Sequence, residues 1–211
     1  MRKQKDFRLS VWMLTAFVLW TVAVRFVDVQ PIGPEASSVG FAALNRFVHD
    51  LTGVHIDLYT VTDWLSIVPL AAAAGFGVLG LSQWHQRKHL LKVDFSILVL
   101  GVFYLVVFAL YILFDMIAVN YRPVLIDGLL EASYPSSTTM LVMCVMPTAA
   151  MQCNARIGNA LLKRLICAVI LFFVVFMVVG RLISGVHWFS DIIGGALLSG
   201  GLVLMYRAIV S

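Results

Sequence analysis

GRLISGVHWFSD, residues 180–191, places Arg181, His187 and Asp191 in one short segment of a chain otherwise dominated by Leu, Val, Ile, Phe and Ala. A permanent cation, an imidazole and a carboxylate are expensive beside lipid, and such groups in or bordering membrane spans mark candidate functional sites. His187 and Asp191 are four residues apart, so on a helix they share a face, where the carboxylate can hold the imidazole's tautomer and raise its basicity. Arg181, six residues before His187, ends another apolar run and offers a planar fork suited to phosphate or carboxylate. The plainer alternative is a snorkelling arginine, a helix-capping aspartate and an incidental histidine.

Composition defines the surroundings of this segment. Of 211 residues, 61% are hydrophobic and only 12% charged, and the mean hydropathy is +0.96. Globular chains carry about a quarter charged residues, so this is an integral membrane protein. The net charge of +4 is dispersed between apolar runs, which argues against a nucleic-acid partner and makes the basic residues markers of topology. Cys144, Cys153 and Cys167 have no metal-ligand spacing and read as buried apolar packers without a disulfide.

The apolar runs predict an all-α bundle of six membrane spans, at about residues 9–27, 59–81, 95–118, 136–151, 165–183 and 190–206. The basic opening MRKQKDFR leads into the first, which reads as an uncleaved span because it is long for a signal sequence and lacks a small-residue cleavage site. Pro69, Gly75 and Gly77 are tolerated in the second span if neighbouring helices satisfy the freed backbone. In the interval 28–57, Val39, Leu44, Phe47, Val48 and Leu51 recur at roughly helical spacing, with Asn45, Arg46, His49 and Asp50 between them. This pattern predicts a short interfacial amphipathic helix. Eleven of the fifteen Lys and Arg residues fall on the side of the termini, leaving Arg25, Arg46, Arg122 and Arg181 opposite, so both termini are expected in the cytoplasm of a multi-pass cell-membrane protein. The intervals after spans one, three and five then face outward. One integral domain covers residues 1–211, with no internal repeat.

The interval after the third span carries Arg122-Pro123 and then YPSSTT, residues 134–139. A proline before the serines and an apolar helix after them make Ser136 or Ser137 the expected N-cap. Such a helix start presents N–H groups, hydroxyls and a favourable dipole to an anion. With Arg122 from the same loop and Arg181 from the next outward one, the pocket becomes a phosphate cradle. Taken singly, a capped helix and an interfacial arginine explain these residues as well.

Together they resemble the type-2 phosphatidic acid phosphatase superfamily, the lipid phosphate phosphatases related to vanadium haloperoxidases and bacterial nonspecific acid phosphatases. That family's pattern is Lys-x6-Arg-Pro, then Pro-Ser-Gly-His, then Ser-Arg-x5-His-x3-Asp. The third motif is present as Gly180-Arg181, His187 and Asp191, the second as Pro135-Ser136-Ser137-Thr138, and the first as Arg122-Pro123. The motif-bearing core runs from about residue 95 to 211. The resemblance implies that His187 is the nucleophile, forming a phosphohistidine, with Asp191 orienting it. Arg122 and Arg181 would neutralise the phosphate oxygens, helped by Ser136, Ser137 and Thr138. No metal or other cofactor is implied, and His49 and His55 lack a convincing ligand set.

Two positions depart from the pattern. Thr138 stands where the family has the histidine that protonates the leaving group, and Asp115 stands where it has lysine. Loss of a general acid costs about a hundredfold to ten-thousandfold. Asp127 or Glu131 could donate the proton instead, or the leaving group could itself be a phosphate, favouring a diphosphate. Asp115 is placed two helical turns from Arg122 on a similar face, where it could pair with an arginine or a bound cation. The resulting expectation is a phosphatase for a lipid-linked phosphate or diphosphate, working at the outer face of the bilayer. The alternatives are a catalytically impaired relative that binds such lipids, and a lipid transporter, which lacks the expected internal symmetry here.

Overall fold

The computed structural model describes residues 2–211, and every regular element among them is helical. The helices are α1 (Arg2–Phe26), α2 (Ala42–Thr52), α3 (Ile56–Leu65), α4 (Ile67–Arg87), α5 (Phe95–Met116), α6 (Ser137–Arg156), α7 (Ala160–Ile183) and α8 (Phe189–Val210). Among the described residues, α1, the α3–α4 stretch, α5, α7 and α8 are long and apolar enough to cross a membrane, which makes five. The expected fourth span, α6, is not one of them. Its 20 residues include Thr138, Thr139, Thr148, Gln152 and Asn154, which lower its apolarity. It is also enclosed, packed against α4, α5, α7 and α8. A helix shielded by its neighbours needs no lipid-compatible surface of its own.

The second predicted span is two helices. Proline has no N–H to offer the carbonyl four residues back, and Pro69 would owe that bond to Leu65, where α3 ends. Ser66 takes up the break, its N–H bonded to Asp63 O at 3.0 Å, and Pro69 falls in the first turn of α4, where no donor is missed.

α1 lies along α8, joined by Ser10 Oγ donating to Gly201 O at 2.7 Å and by an ion pair from Arg207 to Asp6. Their closeness depends on glycine: a Cβ at Gly201 would sit 2.7 Å from the Leu14 side chain. On the opposite flank, α7 meets α6 through Val142, Met146 and Met177. Large side chains such as Val169, Leu171 and Phe172 on α7 stay outward, as lipid-facing residues do.

α2 is the amphipathic helix expected from the sequence, and it docks by its polar side. Asn45 is fully buried, with Nδ2 donating to Gly40 O at 2.7 Å and Ser190 Oγ at 2.9 Å while Oδ1 accepts from Ser190 N at 3.0 Å. Leu44, Phe47 and Leu51 point away from the protein. Of the cysteines, all free, Cys144 is buried, whereas Cys153 and Cys167 are only partly so.

Candidate active site

α7 carries Arg181 in its last turn, and the chain reverses through Ser184 and Gly185 before α8. Gly185 has φ +68, and a Cβ there would meet Gly53 O at 2.0 Å, so the turn admits no side chain. His187 therefore precedes the Trp188 N-cap, and it does not share a helical stretch with Asp191 as the four-residue spacing suggested. Asp191 sits in the first turn of α8, where its Oδ2 accepts from Trp188 N at 2.9 Å and its Oδ1 from Asn120 Nδ2 at 3.3 Å. It is thus a helix-start acceptor as well as the neighbour of His187, whose Nδ1 lies 3.7 Å from Oδ2.

Arg122 reaches the same histidine from a hairpin-like strap. Arg122 N donates to Glu131 O at 3.0 Å, Ser133 N to Asn120 O at 2.9 Å, and the tip turns at Asp127 and Gly128, both with positive φ. Trp188 Nε1 donates to Tyr121 O at 2.7 Å and pins the strap to the start of α8. Arg122 Nη1 then comes within 3.4 Å of His187 Nε2. A guanidinium only donates, so Nε2 is the accepting, unprotonated nitrogen and the Nδ1 proton faces Asp191. His187 is in the loop between α7 and α8, and burial pushes its imidazole down to about 4, an effect that Asp191 opposes and Arg122 reinforces. The ring is neutral at physiological pH.

Arg181 is 2% exposed. Its Nη2 donates to Asp63 Oδ1 at 2.9 Å and to the Thr138 hydroxyl, and its guanidinium lies 4.8 Å over the Tyr59 ring, with that of Arg122 at 5.8 Å. Asp63 and Tyr59, both on α3, were missed in the sequence. An acidic residue inside an apolar run was the available signal for Asp63.

The remaining predicted residues divide clearly. Ser136 is the N-cap of α6, and its fully buried Oγ accepts from Thr139 Oγ1 at 3.0 Å, so its hydroxyl is engaged in the helix start. Ser137, by contrast, lines two cavities. One, of about 280 Å³, is walled by Asp115, Arg122, Glu131, Ser133, Tyr134 and His187 among others. The second, of about 490 Å³, opens between α4, α5 and α6 and includes Asp63, Arg122, Thr138 and Arg181 beside a mostly apolar lining. Arg122 and Ser137 belong to both.

Glu131 pairs with Arg122 at 2.9 Å, whereas Asp127 stands exposed at the strap's tip and lines neither cavity. Asp115 is not on a shared helical face with Arg122, because α5 ends at Met116. It is exposed and forms no ion pair among the described residues.

The chain resembles in fold a transmembrane PAP2-type phosphatidylglycerolphosphate phosphatase from Bacillus subtilis, with a TM-score of 0.61, 19% identity, and 95% of this chain and 94% of that one covered. No curated protein matches the sequence significantly. A family model described as the PAP2 superfamily matches residues 102–211. That stretch is just over half of the chain and contains the strap, the capped start of α6 and the α7–α8 turn, and by it the chain belongs to the PAP2 superfamily.

Proposed function

We propose that the chain is a membrane phosphatase that removes phosphate from a lipid-linked phosphate or diphosphate by way of a phosphohistidine on His187. The observation carrying this is the line from Asp191 through His187 to Arg122, with an unprotonated Nε2 at a cavity wall. Nε2 attacks phosphorus, the bond to the leaving oxygen breaks, and water then attacks the phosphohistidine to release inorganic phosphate. Arg122 and Arg181, together with the Ser137 hydroxyl, take the charge on the non-bridging oxygens. Glu131, on the same cavity, is the candidate proton donor in place of the imidazole that Thr138 lacks. A diphosphate substrate reduces that need, since its leaving group is already a good one.

The position of the site supports an outward-facing reading. It gathers the C-terminal ends of α5 and α7 and the N-terminal ends of α6 and α8, while Arg87, Arg156 and Arg207 lie at the opposite helix ends. With α6 counted as a sixth span, that basic end is cytoplasmic. The apolar cavity between α4, α5 and α6 suits a lipid tail arriving from the bilayer.

A binding-only relative is the second reading. It is favoured by Thr138, which stands at the donor position and accepts from Arg181. Purified protein is incubated with phosphatidic acid, phosphatidylglycerol phosphate and a polyprenyl diphosphate while phosphate release is followed. Turnover of at least one, abolished in His187→Ala, is the expected result. Activity surviving that substitution removes His187 as nucleophile, and binding without turnover selects the second reading.

A further inference from the structure

The buried side of α2 reaches the His187–Asp191 pair. Asn45 engages every polar atom of its side chain: Nδ2 donates to Gly40 O and Ser190 Oγ, and Oδ1 accepts from Ser190 N. Exchanging the oxygen and nitrogen of this amide would set a donor against Ser190 N, so its neighbours admit one orientation. Ser190 Oγ therefore accepts from Asn45 at 2.9 Å, and Asn120 Nδ2 approaches the same oxygen at 3.3 Å. A hydroxyl has two lone pairs and one hydrogen. With both lone pairs taken, the Ser190 hydrogen is directed to Asp191 Oδ1, 3.5 Å away.

Asp191 depends on such donors. It is fully buried, with Ser190 Oγ and Asn120 Nδ2 serving Oδ1 and Trp188 N serving Oδ2. Oδ2 stands 3.7 Å from His187 Nδ1, beyond hydrogen-bond length, so the carboxylate acts on the imidazole tautomer through its orientation and charge and not through a tight bond. Whatever fixes the plane of this carboxylate fixes which histidine nitrogen stays free. Gly40 anchors the arrangement: its carbonyl accepts from Asn45, its N–H donates to Asn120 Oδ1 at 3.3 Å, and a Cβ there would sit 1.7 Å from Val24 O on α1.

Resting on the phosphatase reading for the role of His187, we propose that Asn45 is a positioning residue of the site. Acting through the Ser190 hydroxyl, it holds the Asp191 carboxylate in the plane that keeps the His187 proton on Nδ1 and leaves Nε2 free to attack phosphorus. Asn45 lies on α2, well before the matched residues 102–211, so the amphipathic helix is a working part of the site as well as a surface element.

Asn45→Asp keeps the size of the side chain and the acceptor for Ser190 N, but it puts an acceptor where Nδ2 donated, which draws the Ser190 hydrogen away from Asp191. Ser190→Ala removes the hydroxyl itself. If the new carboxylate prevents folding, Asn45→Ser, neutral and smaller, replaces it. The full chain is labelled with ¹⁵N-histidine, the His187 signals are identified by their loss in His187→Asn, and the tautomer is read from the nitrogen shifts. Turnover is followed on phosphatidic acid, phosphatidylglycerol phosphate and a polyprenyl diphosphate. Wild type should show His187 protonated on Nδ1, and each single variant a mixture of tautomers, with kcat lowered about tenfold and KM within about twofold. The double variant should fall no further than Ser190→Ala, because without the hydroxyl residue 45 has nothing to orient. An unchanged tautomer in both single variants, or losses that multiply in the double variant, overturns the proposal. A tautomer change in a protein that releases phosphate from none of the three lipids supports the positioning role and counts against the phosphatase reading instead.

Discussion

Replacing Asp63 with asparagine should move stability and anion affinity in opposite directions. Arg181 is 2% exposed, and two of its nitrogens, Nε and Nη1, have no hydrogen-bond partner, so the Asp63 carboxylate at 2.9 Å is its charged support. Breaking a fully buried pair costs about 3–5 kcal/mol, whereas an exposed pair contributes about 0–1 kcal/mol. The Asp63 side chain is 56% exposed, which places its loss near the lower end, at about 1–2 kcal/mol. For a chain of this size that lowers the melting temperature by about 2–8 °C. The same carboxylate competes with phosphate for Arg181. Two charges about 6 Å apart at an effective dielectric constant of about 20 repel by roughly 3 kcal/mol, which solvent at the exposed Asp63 reduces to about 1 kcal/mol, or about fivefold in affinity. The assay is competitive inhibition by inorganic phosphate, beside thermal unfolding in the same detergent. A lower melting temperature with an inhibition constant about fivefold smaller is expected. Weaker phosphate binding at unchanged stability would refute the reasoning, since Asp63 would then only orient the guanidinium.

Acid should destabilise the fold through His187. Its folded value of about 4 lies below the ordinary 6.5, so the unfolded chain binds the proton first. The stability tied to its neutral form is complete above about pH 6.5 and is lost as pH falls towards 4, by up to about 3 kcal/mol. The melting-temperature difference between wild type and His187→Asn should therefore change between pH 7 and pH 4.5, and a constant difference would contradict the burial argument. Thr138→His should raise monophosphate turnover more than diphosphate turnover, and an unchanged ratio of kcat/KM values would remove the leaving-group explanation. Gly201→Val should cost about 1–3 kcal/mol by driving α1 from α8. Gly101→Val, where nothing lies within 4 Å of the added Cβ, is the control that should unfold at nearly the wild-type temperature.

Membrane character and helix positions were legible because lipid imposes continuous apolar runs, and observed boundaries such as Phe95–Met116 fall close to the predicted 95–118. Hydropathy suggested a fourth span at α6, which is not among the five helices long and apolar enough to cross a membrane, and it could not reveal the helix's enclosure, because burial among helices and burial in lipid both select apolar residues. The break at Ser66 was readable from Pro69, had its missing donor been assigned to Leu65. In the site, motif spacing brought Arg122, Arg181, His187 and Asp191 to attention, and the structure gathers all four. The geometry linking His187 to Asp191 depended on where α8 begins, and terminal positions are the least defined feature of a helical pattern. Asp63, Tyr59 and Asn120 escaped because they act through tertiary contacts that no local periodicity encodes.

The pairing of Ser10 with Gly201 also bears on biogenesis. These partners are separated by 191 residues, so α1 leaves the ribosome long before α8 exists to cover it. During that interval the buried Ser10 and Asp6 have no native partner, and contacts so distant along the chain form late. A chain interrupted before α8 would hold a serine without its Gly201 acceptor and a carboxylate without its arginine, polar groups that are costly to leave unpaired at a membrane. Expressing residues 2–87 and 88–211 as separate polypeptides and recovering them as one complex would show that this closure needs proximity in the bilayer and not continuity of the chain.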